Sequence, residues 1–309
     1  MDMRSGNVIQ VSDLVKAYGN VIAVNHISFE VHQGEVFGML GPNGAGKTTT
    51  AEIIEGLRTA DSGSVKVLDM DVSKDIRAIK ERIGVQPQSP ALFPSLKVKE
   101  IIEFFSRLYN KSIPASRIIE LASLEESRDI LFRNLSGGQQ QRLSVALAFV
   151  NDPDIIFLDE PTTGLDPQAR RAMWEVIETF GKAGKTVLLT THYMEEAERL
   201  CDRVAIIDHG RIIALGGPQH LIDEQIKESA IQFKMKDYPG DETLARLPHV
   251  SKAVKEGDEI IIYTDNIPAS ISGLLSLASE KSSELSELLV RQATLEDVFL
   301  KLTGKRIRD

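Results

Sequence analysis

The sequence predicts an α/β fold with a mostly parallel sheet, followed by a smaller α+β domain. Three observations predict it. Nearly continuous apolar runs, "EVFGML", "DIIFLDE" and "KTVLLTTH", alternate with helix-patterned segments, as in parallel sheets covered on both faces. A glycine-rich loop, "GPNGAGKTT" (41–49), stands between one such run and a helix. The stretch "GGPQHLI" (216–222) marks a boundary beyond which the rhythm changes. The 309 residues accommodate one large domain or two ordinary ones.

The elements follow in order. Residues 8–18 and 21–31 alternate loosely, are rich in β-branched residues and flank the turn "GN", so they read as two strands. "EVFGML" is a buried strand, and after the glycine loop Ala51, Ile54 and Leu57 repeat at helical spacing. Residues 88–145 read as a mainly helical lobe. Its first helix carries Ile101, Phe104, Phe105 and Leu108, and its last, in "SGGQQQRLSVALAFV", carries Leu143, Ala146, Leu147 and Val150. The β/α rhythm then returns: strand "DIIFLDE", a helix closed by Gly184, strand "KTVLLTTH", the short helix "YMEEAERLC", and a hairpin around "DHG". Beyond the boundary, "AIQFKM" and "EIIIYT" read as strands and "ISGLLSLASEKSSELSELLV" as helix. The expected domains are therefore 1–217 and 218–309.

Composition narrows the role. Apolar residues make up 42% and charged residues 26%, enough for an ordinary core. A net charge of −9 argues against a nucleic-acid partner. The single cysteine, Cys201, excludes an intrachain disulfide framework and suits a reducing compartment. No run reaches the ~20 apolar residues of a membrane-spanning helix, and the first residues hold no signal-peptide core. The expectation is a soluble, cytoplasmic chain whose membrane role comes through a partner.

The loop Gly41-Pro42-Asn43-Gly44-Ala45-Gly46-Lys47-Thr48-Thr49 has the full phosphate-loop spacing. Glycines let successive N–H groups converge on phosphate oxygens, and the following helix adds the positive end of its dipole. Lys47 supplies a point charge, and the Thr48 hydroxyl is a ligand for Mg²⁺. A nucleoside triphosphate and magnesium are implied. "IIFL" ends in Asp159-Glu160, and a buried carboxylate pair is costly without a task. Beside a phosphate loop, Asp159 can hold Mg²⁺ and Glu160 can polarise the attacking water. A solvated strand end is the plain alternative. "LSGGQQQR" (135–142) places Ser136 as N-cap and Gln139 as its capping-box partner. Gly137 and Gly138 leave that helix N-terminus bare, a second anion-binding surface that one chain cannot easily fold onto the first.

With these residues in hand, the chain resembles the ATP-binding-cassette (ABC) ATPases. The ordered motifs "GPNGAGKTT", "LSGGQQQR", "IIFLDEP", "GLD" and "TTH" carry the resemblance over roughly residues 7–217. It implies a phosphate-loop NTPase core with an N-terminal antiparallel β subdomain and a helical lobe. It also implies a head-to-tail homodimer enclosing two ATP molecules, each between one copy's phosphate loop and the other's Ser136–Gln139 signature. By the same resemblance Tyr18 stacks on adenine, Gln88 reaches the Mg²⁺, Asp166 in "GLDP" lies at the dimer seam, and His192 contacts the γ-phosphate. An edge-strand tyrosine is the plain reading of Tyr18. The metal set expected is Thr48, Gln88 and Asp159; the catalytic set is Glu160, His192, Gln88 and Lys47.

The stretches "ATLEDVFLKLTGKRIRD" (293–309) and "THYMEEAERLCDRVAIIDHGRIIALGGP" resemble ATPase subunits of drug and polyketide exporters of the daunorubicin-resistance type. That branch implies a separately encoded membrane permease, which would hold the chain at the cytoplasmic face of the membrane. Gln139 and Gln140 depart from the methionine and basic residues many such relatives carry. The alternatives are an importer ATPase, a non-transport ABC ATPase acting on ribosome or DNA, and a regulatory subunit with a degenerate site. The filled catalytic positions oppose the last.

Overall fold

The computed structural model describes residues 6–88, 91–291 and 293–304. The end of the C-terminal motif, residues 305–309, lies outside them. The chain divides into two compact units, one up to Pro218 and one from Gln219.

In the first unit, β1 (Asn7–Tyr18) and β2 (Val21–His32) form an antiparallel hairpin. Then come β3 (Val36–Leu40), α1 (Lys47–Ile54), β4 (Ser62–Val67), β5 (Met70–Asp71), α2 (Val72–Lys80) and β6 (Ile83–Gln86). Helices α3 (Val98–Ser106), α4 (Ala115–Leu121) and α5 (Gly137–Leu147) follow, with two short 3-10 turns between the last two. The unit continues with β7 (Ile155–Asp159), α6 (Pro167–Lys182), β8 (Thr186–Thr191), α7 (Met194–Leu200), β9 (Arg203–Asp208) and β10 (Arg211–Gly216).

Two sheets result. A small antiparallel one runs β2-β1-β4-β5, and the main one runs β10-β9-β3-β8-β7-β6. In the main sheet β9, β3, β8, β7 and β6 are parallel, with β10 antiparallel at the edge. Every residue of β3, β7 and β8 is buried, which is why these strands read as unbroken apolar runs. One core joins the sheets: Phe29 of β2 stacks on Phe37 of β3 at 5.1 Å. Full burial of each such side chain contributes about 1.5–3 kcal/mol. The loops after β3, β7 and β8 leave the same, carboxyl end of the sheet, where ligands of open α/β folds bind.

Three helices end earlier than their apolar spacing suggests, α5 among them, stopping at Leu147 before Val150. Helix α1 stops at Ile54, because Gly56 takes φ 68 and turns the chain away, leaving Leu57 exposed. In α3 the buried face is Val98, Ile101 and Ile102, whereas Phe104 is 42% and Leu108 60% exposed.

The second unit opens with α8 (Pro218–Gln225) and contains β11 (Ser229–Met235), α9 (Asp241–Leu244), β12 (Val250–Glu256), β13 (Glu259–Thr264), α10 (Ile267–Glu280), β14 (Leu285–Arg291) and α11 (Leu295–Thr303). Its sheet runs β12-β13-β11-β14, entirely antiparallel. Its own core gathers Ile231, Phe233, Ile260, Ile262 and Leu274. The long helix expected over "ISGLLSLASEKSSELSELLV" is corrected here. Only its first part, within α10, is helical, and "LSELLV" lies in strand β14. Ser282 at φ 49 breaks the helix, and β11 offers the following residues a ladder that local propensity does not register.

Candidate functional site

The phosphate loop follows β3 without a free residue. Gly41 N–H donates to Thr191 O at 3.3 Å, and a Cβ at Gly41 would lie 2.1 Å from Ile207 O, so only glycine lets the backbones pass. Gly46 sits at φ 103, and a Cβ there would lie 2.2 Å from Ala23 O. Ala45 N–H closes a turn onto Pro42 O at 3.2 Å, and Thr50 Oγ1 donates to Gly46 O at 2.8 Å. The loop therefore curls into the N-terminus of α1, with Asn43 and Gly44 at its rim and Thr48 and Thr49 in the first turn of the helix.

Lys47 is buried and bends back over this loop, its Nζ donating to Gly41 O (2.8 Å) and Pro42 O (3.1 Å). The same Nζ stands 3.6 Å from Glu160 Oε1. Burial lowers the Lys47 pKa, opposed by Glu160 and then Asp159. Thr48 Oγ1 donates to Asp159 Oδ1 at 3.1 Å, and Thr190 Oγ1 donates to the same oxygen. Burial raises the Asp159 carboxyl above its ordinary value in spite of these two bonds.

Glu160 is the point where the groups converge. It is 6% exposed and takes φ 48, a left-handed shape uncommon for a non-glycine residue. Burial pushes its carboxyl up, but Lys47, then His192 and Thr163, outweigh burial and hold it below the ordinary value. Gln88 Nε2 donates to its Oε2 at 3.3 Å, and Thr163 Oγ1 donates to the same oxygen at 3.1 Å. His192 Nδ1 lies 3.4 Å from Oε1, yet makes no hydrogen bond. Gln86, two residues earlier than Gln88, is buried and turned onto Pro87 O instead.

The remaining candidates sit apart. Ser136 caps α5: Gln139 N–H donates to its Oγ at 3.3 Å, and Ser136 N–H donates to Gln139 Oε1 at 2.9 Å. A Cβ at Gly137 would meet nothing within 4 Å, so the backbone there is bare. Asp166 caps α6, accepting from Ala169 N–H at 2.8 Å. Among the described residues, no hydrogen bond or ion pair ties Ser136–Gln139 or Asp166 side chains to the Lys47–Glu160 cluster. Tyr18, at the end of β1, is 43% exposed, with Lys16 Nζ and Arg58 Cζ 5.6 and 5.7 Å from its ring centre. Its hairpin approaches the phosphate loop through Ala23 O, beside Gly46.

Sequence reasoning passed over Thr190, Thr163, Gln141 and Glu196, all of which hold the cluster in place. Thr190 had a signal: a polar residue at the end of the apolar run "TVLLTT", directly before "TH". The others act through contacts that no local pattern encodes.

The family model described as ABC transporter matches residues 24–163. The Nod factor export ATP-binding protein I of Ralstonia nicotianae is 40% identical, over 98% of this chain and 95% of that protein. The protein of the same name from Burkholderia orbicola is 42% identical, over 97% and 98%. Among solved structures, CbiO1 of Clostridium perfringens, part of the ABC transporter complex CbiONQ, aligns with a TM-score of 0.64 at 28% identity, covering 71% of this chain and 91% of that one. A dimeric ATP-binding cassette in a post-hydrolysis state, bound to ADP and Pi, aligns with a TM-score of 0.62 at 26% identity, covering 68% and 98%. With relatives this similar over nearly its whole length, and with the phosphate loop, Asp159 and Glu160 gathered at the carboxyl end of its sheet, the chain belongs to the ATP-binding subunits of ABC transporters and is an ATPase.

Proposed function

We propose that this ATPase closes head-to-tail with a second copy of itself over two ATP molecules and powers export through a separate membrane permease. One observation carries the reading: the Glu160 carboxylate, buried and held ionised, is met by Lys47, Gln88, Thr163 and His192 from four different segments. That is a base with its field already built, and it stands beside a phosphate cradle.

In this reading Gly41–Thr49 and Lys47 hold the β- and γ-phosphates. The paired oxygens of Thr48 and Asp159, with the Gln88 amide oxygen, suit a hard cation. Mg²⁺ bound there would neutralise charge on the phosphates. Glu160 accepts a proton from the water that attacks in line with the departing oxygen, and His192, whose Nδ1 lies 3.4 Å from Glu160 Oε1, contacts the γ-phosphate. As the ABC resemblance implies, the signature turn, Ser136 to Gln139, closes on the nucleotide of the second copy, with Asp166 at the seam and Tyr18 against the base. Departure of the γ-phosphate severs its ties to both copies, and the pair reopens.

Export is supported by relatives named for Nod factor export; the cargo read from the exporter branch is a drug, lipid or other hydrophobic compound. The motif at 293–304 supports the drug and polyketide exporter branch. Exposed Phe93, Phe104 and Leu108, in the lobe that follows Gln88, provide an apolar face for the permease. On this reading residues 1–217 are the nucleotide-binding domain and 218–309 an accessory domain, and the chain works at the cytoplasmic face. Glu160→Gln tests the core of it. ATP-driven dimers should form while turnover falls about 10²–10⁴-fold; wild-type hydrolysis would remove Glu160 as the base.

A further inference from the structure

The segment Glu160–Thr163 keeps its shape through bonds from several directions. Glu160 N–H is shared between Thr190 O and Thr190 Oγ1, each at 3.1 Å. Thr162 Oγ1 donates at 2.8 Å to Glu196 Oε1, which also accepts from Trp174 Nε1 at 3.1 Å, all three groups buried. Gln141 Nε2 donates to Pro161 O at 2.9 Å. The partners of Glu160 N–H and Thr162 come from β8 and α7, and Trp174 of α6 holds the Glu196 carboxylate in turn. Gln141 alone comes from α5, one helical turn after the signature glycines Gly137 and Gly138. The start of α5 also rests on the start of α6, where a Cβ at Gly138 would lie 3.2 Å from Ala169 Cβ.

We propose that Gln141 is a positioning residue that ties the Glu160 carboxylate of one chain to that chain's own signature turn, and so to the nucleotide held by the second copy. The inference rests on the reading of Glu160 as the base and of Ser136–Gln139 as the surface that closes on the second copy's ATP. A docked nucleotide fixes the N-terminal turn of α5. The Gln141 amide then holds the Pro161 carbonyl, and Glu160, adjacent in the chain, keeps the left-handed conformation that aims its carboxylate at Lys47 and His192. The bond is already formed in the single chain, so docking does not create it; it is the link through which movement of α5 on docking passes to Pro161 and Glu160. The two docking states differ in how firmly α5 is held, and Gln141 carries that difference to the Glu160 segment, which is the differential free energy that coupling between sites requires.

The test uses the full chain and steady-state ATPase across ATP concentration. Gln141→Met keeps length and removes the donor. It should lower kcat about tenfold, the most that one neutral hydrogen bond supplies, and bring a Hill coefficient above 1 down to 1, with KM changed less than about twofold. In a Glu160→Gln background it should leave ATP-driven dimer formation unchanged. Gln141→Lys, which restores a donor of similar reach, should recover both rate and cooperativity. Wild-type kcat and Hill coefficient in Gln141→Met overturn the link. So does a loss that lysine does not rescue and that removes dimer formation, because that marks a general packing role. A wild-type rate in Glu160→Gln strikes the base assignment beneath it; a wild-type rate in Gln141→Met beside an inactive Glu160→Gln strikes the link alone.

Discussion

Thr48 and Asp159, 111 residues apart in the chain, meet through a 3.1 Å hydrogen bond. Helix α1 and strand β7 thereby bring a hydroxyl and a carboxylate oxygen to one point at the mouth of the phosphate loop. Thr48→Val keeps the shape and removes the hydroxyl. The Mg²⁺ concentration for half-maximal ATPase should rise about tenfold or more, and Asp159→Asn should shift it the same way. Titration of activity with Mg²⁺ at fixed ATP checks both, and an unmoved midpoint would take Thr48 out of the metal set.

Gly46 allows no side chain. At φ 103 any other residue is strained, typically by about 1–3 kcal/mol, and its Cβ would overlap Ala23 O. Gly46→Ala should therefore displace the loop and weaken nucleotide binding at least tenfold, while circular dichroism still reports a folded chain. Equilibrium binding of a fluorescent ATP analogue gives the answer.

Glu55 closes α1 in a buried position, and its carboxyl is pushed up to about 8 by burial, then by Asp159 and Glu52. A carboxyl whose folded pKa is raised contributes stability that is fully present below its unfolded pKa. That contribution is lost as pH rises to the folded value, because the unfolded chain releases the proton first. Wild-type stability should thus decline from roughly pH 4.5 to pH 8 and then level off, by up to about 5 kcal/mol from this group. Glu55→Gln should flatten that slope. Urea unfolding of both proteins without nucleotide at pH 5, 7 and 9 measures it; equal slopes would rule out Glu55 as the titrating group.

Phe104 and Leu108 face outward from the helical lobe, Phe104 packed edge-on against Phe93 at 5.2 Å. Replacing both by serine should change stability by no more than about 1 kcal/mol and leave the isolated chain's ATPase intact. Stimulation by the reconstituted permease should fall several-fold. Full stimulation would place the permease contact elsewhere.

The chemistry of the core was written plainly in the chain. Glycines at Gly41 and Gly46 announce close backbone approach, and the buried runs of β3, β7 and β8 announce a parallel sheet. The second unit was less legible. Strand β12 carries no clear apolar alternation, and β14 resembles the end of a helix until β11 stands beside it. In α3, spacing alone did not separate Ile101, which is buried, from Phe104, which is not.

Spacing, apolar periodicity and turn residues are local properties, so the phosphate loop, the Ser136 cap, the acidic pair and the alternating α/β order could all be read along the chain. Meetings between distant groups could not. The Gln88 amide bonds Glu160, Thr190 rather than Thr191 bonds Asp159, and Gln141 reaches Pro161. Those pairings depend on strand order, helix rotation and a left-handed Glu160 backbone, and each is set by packing over the whole sheet rather than by any neighbouring residue.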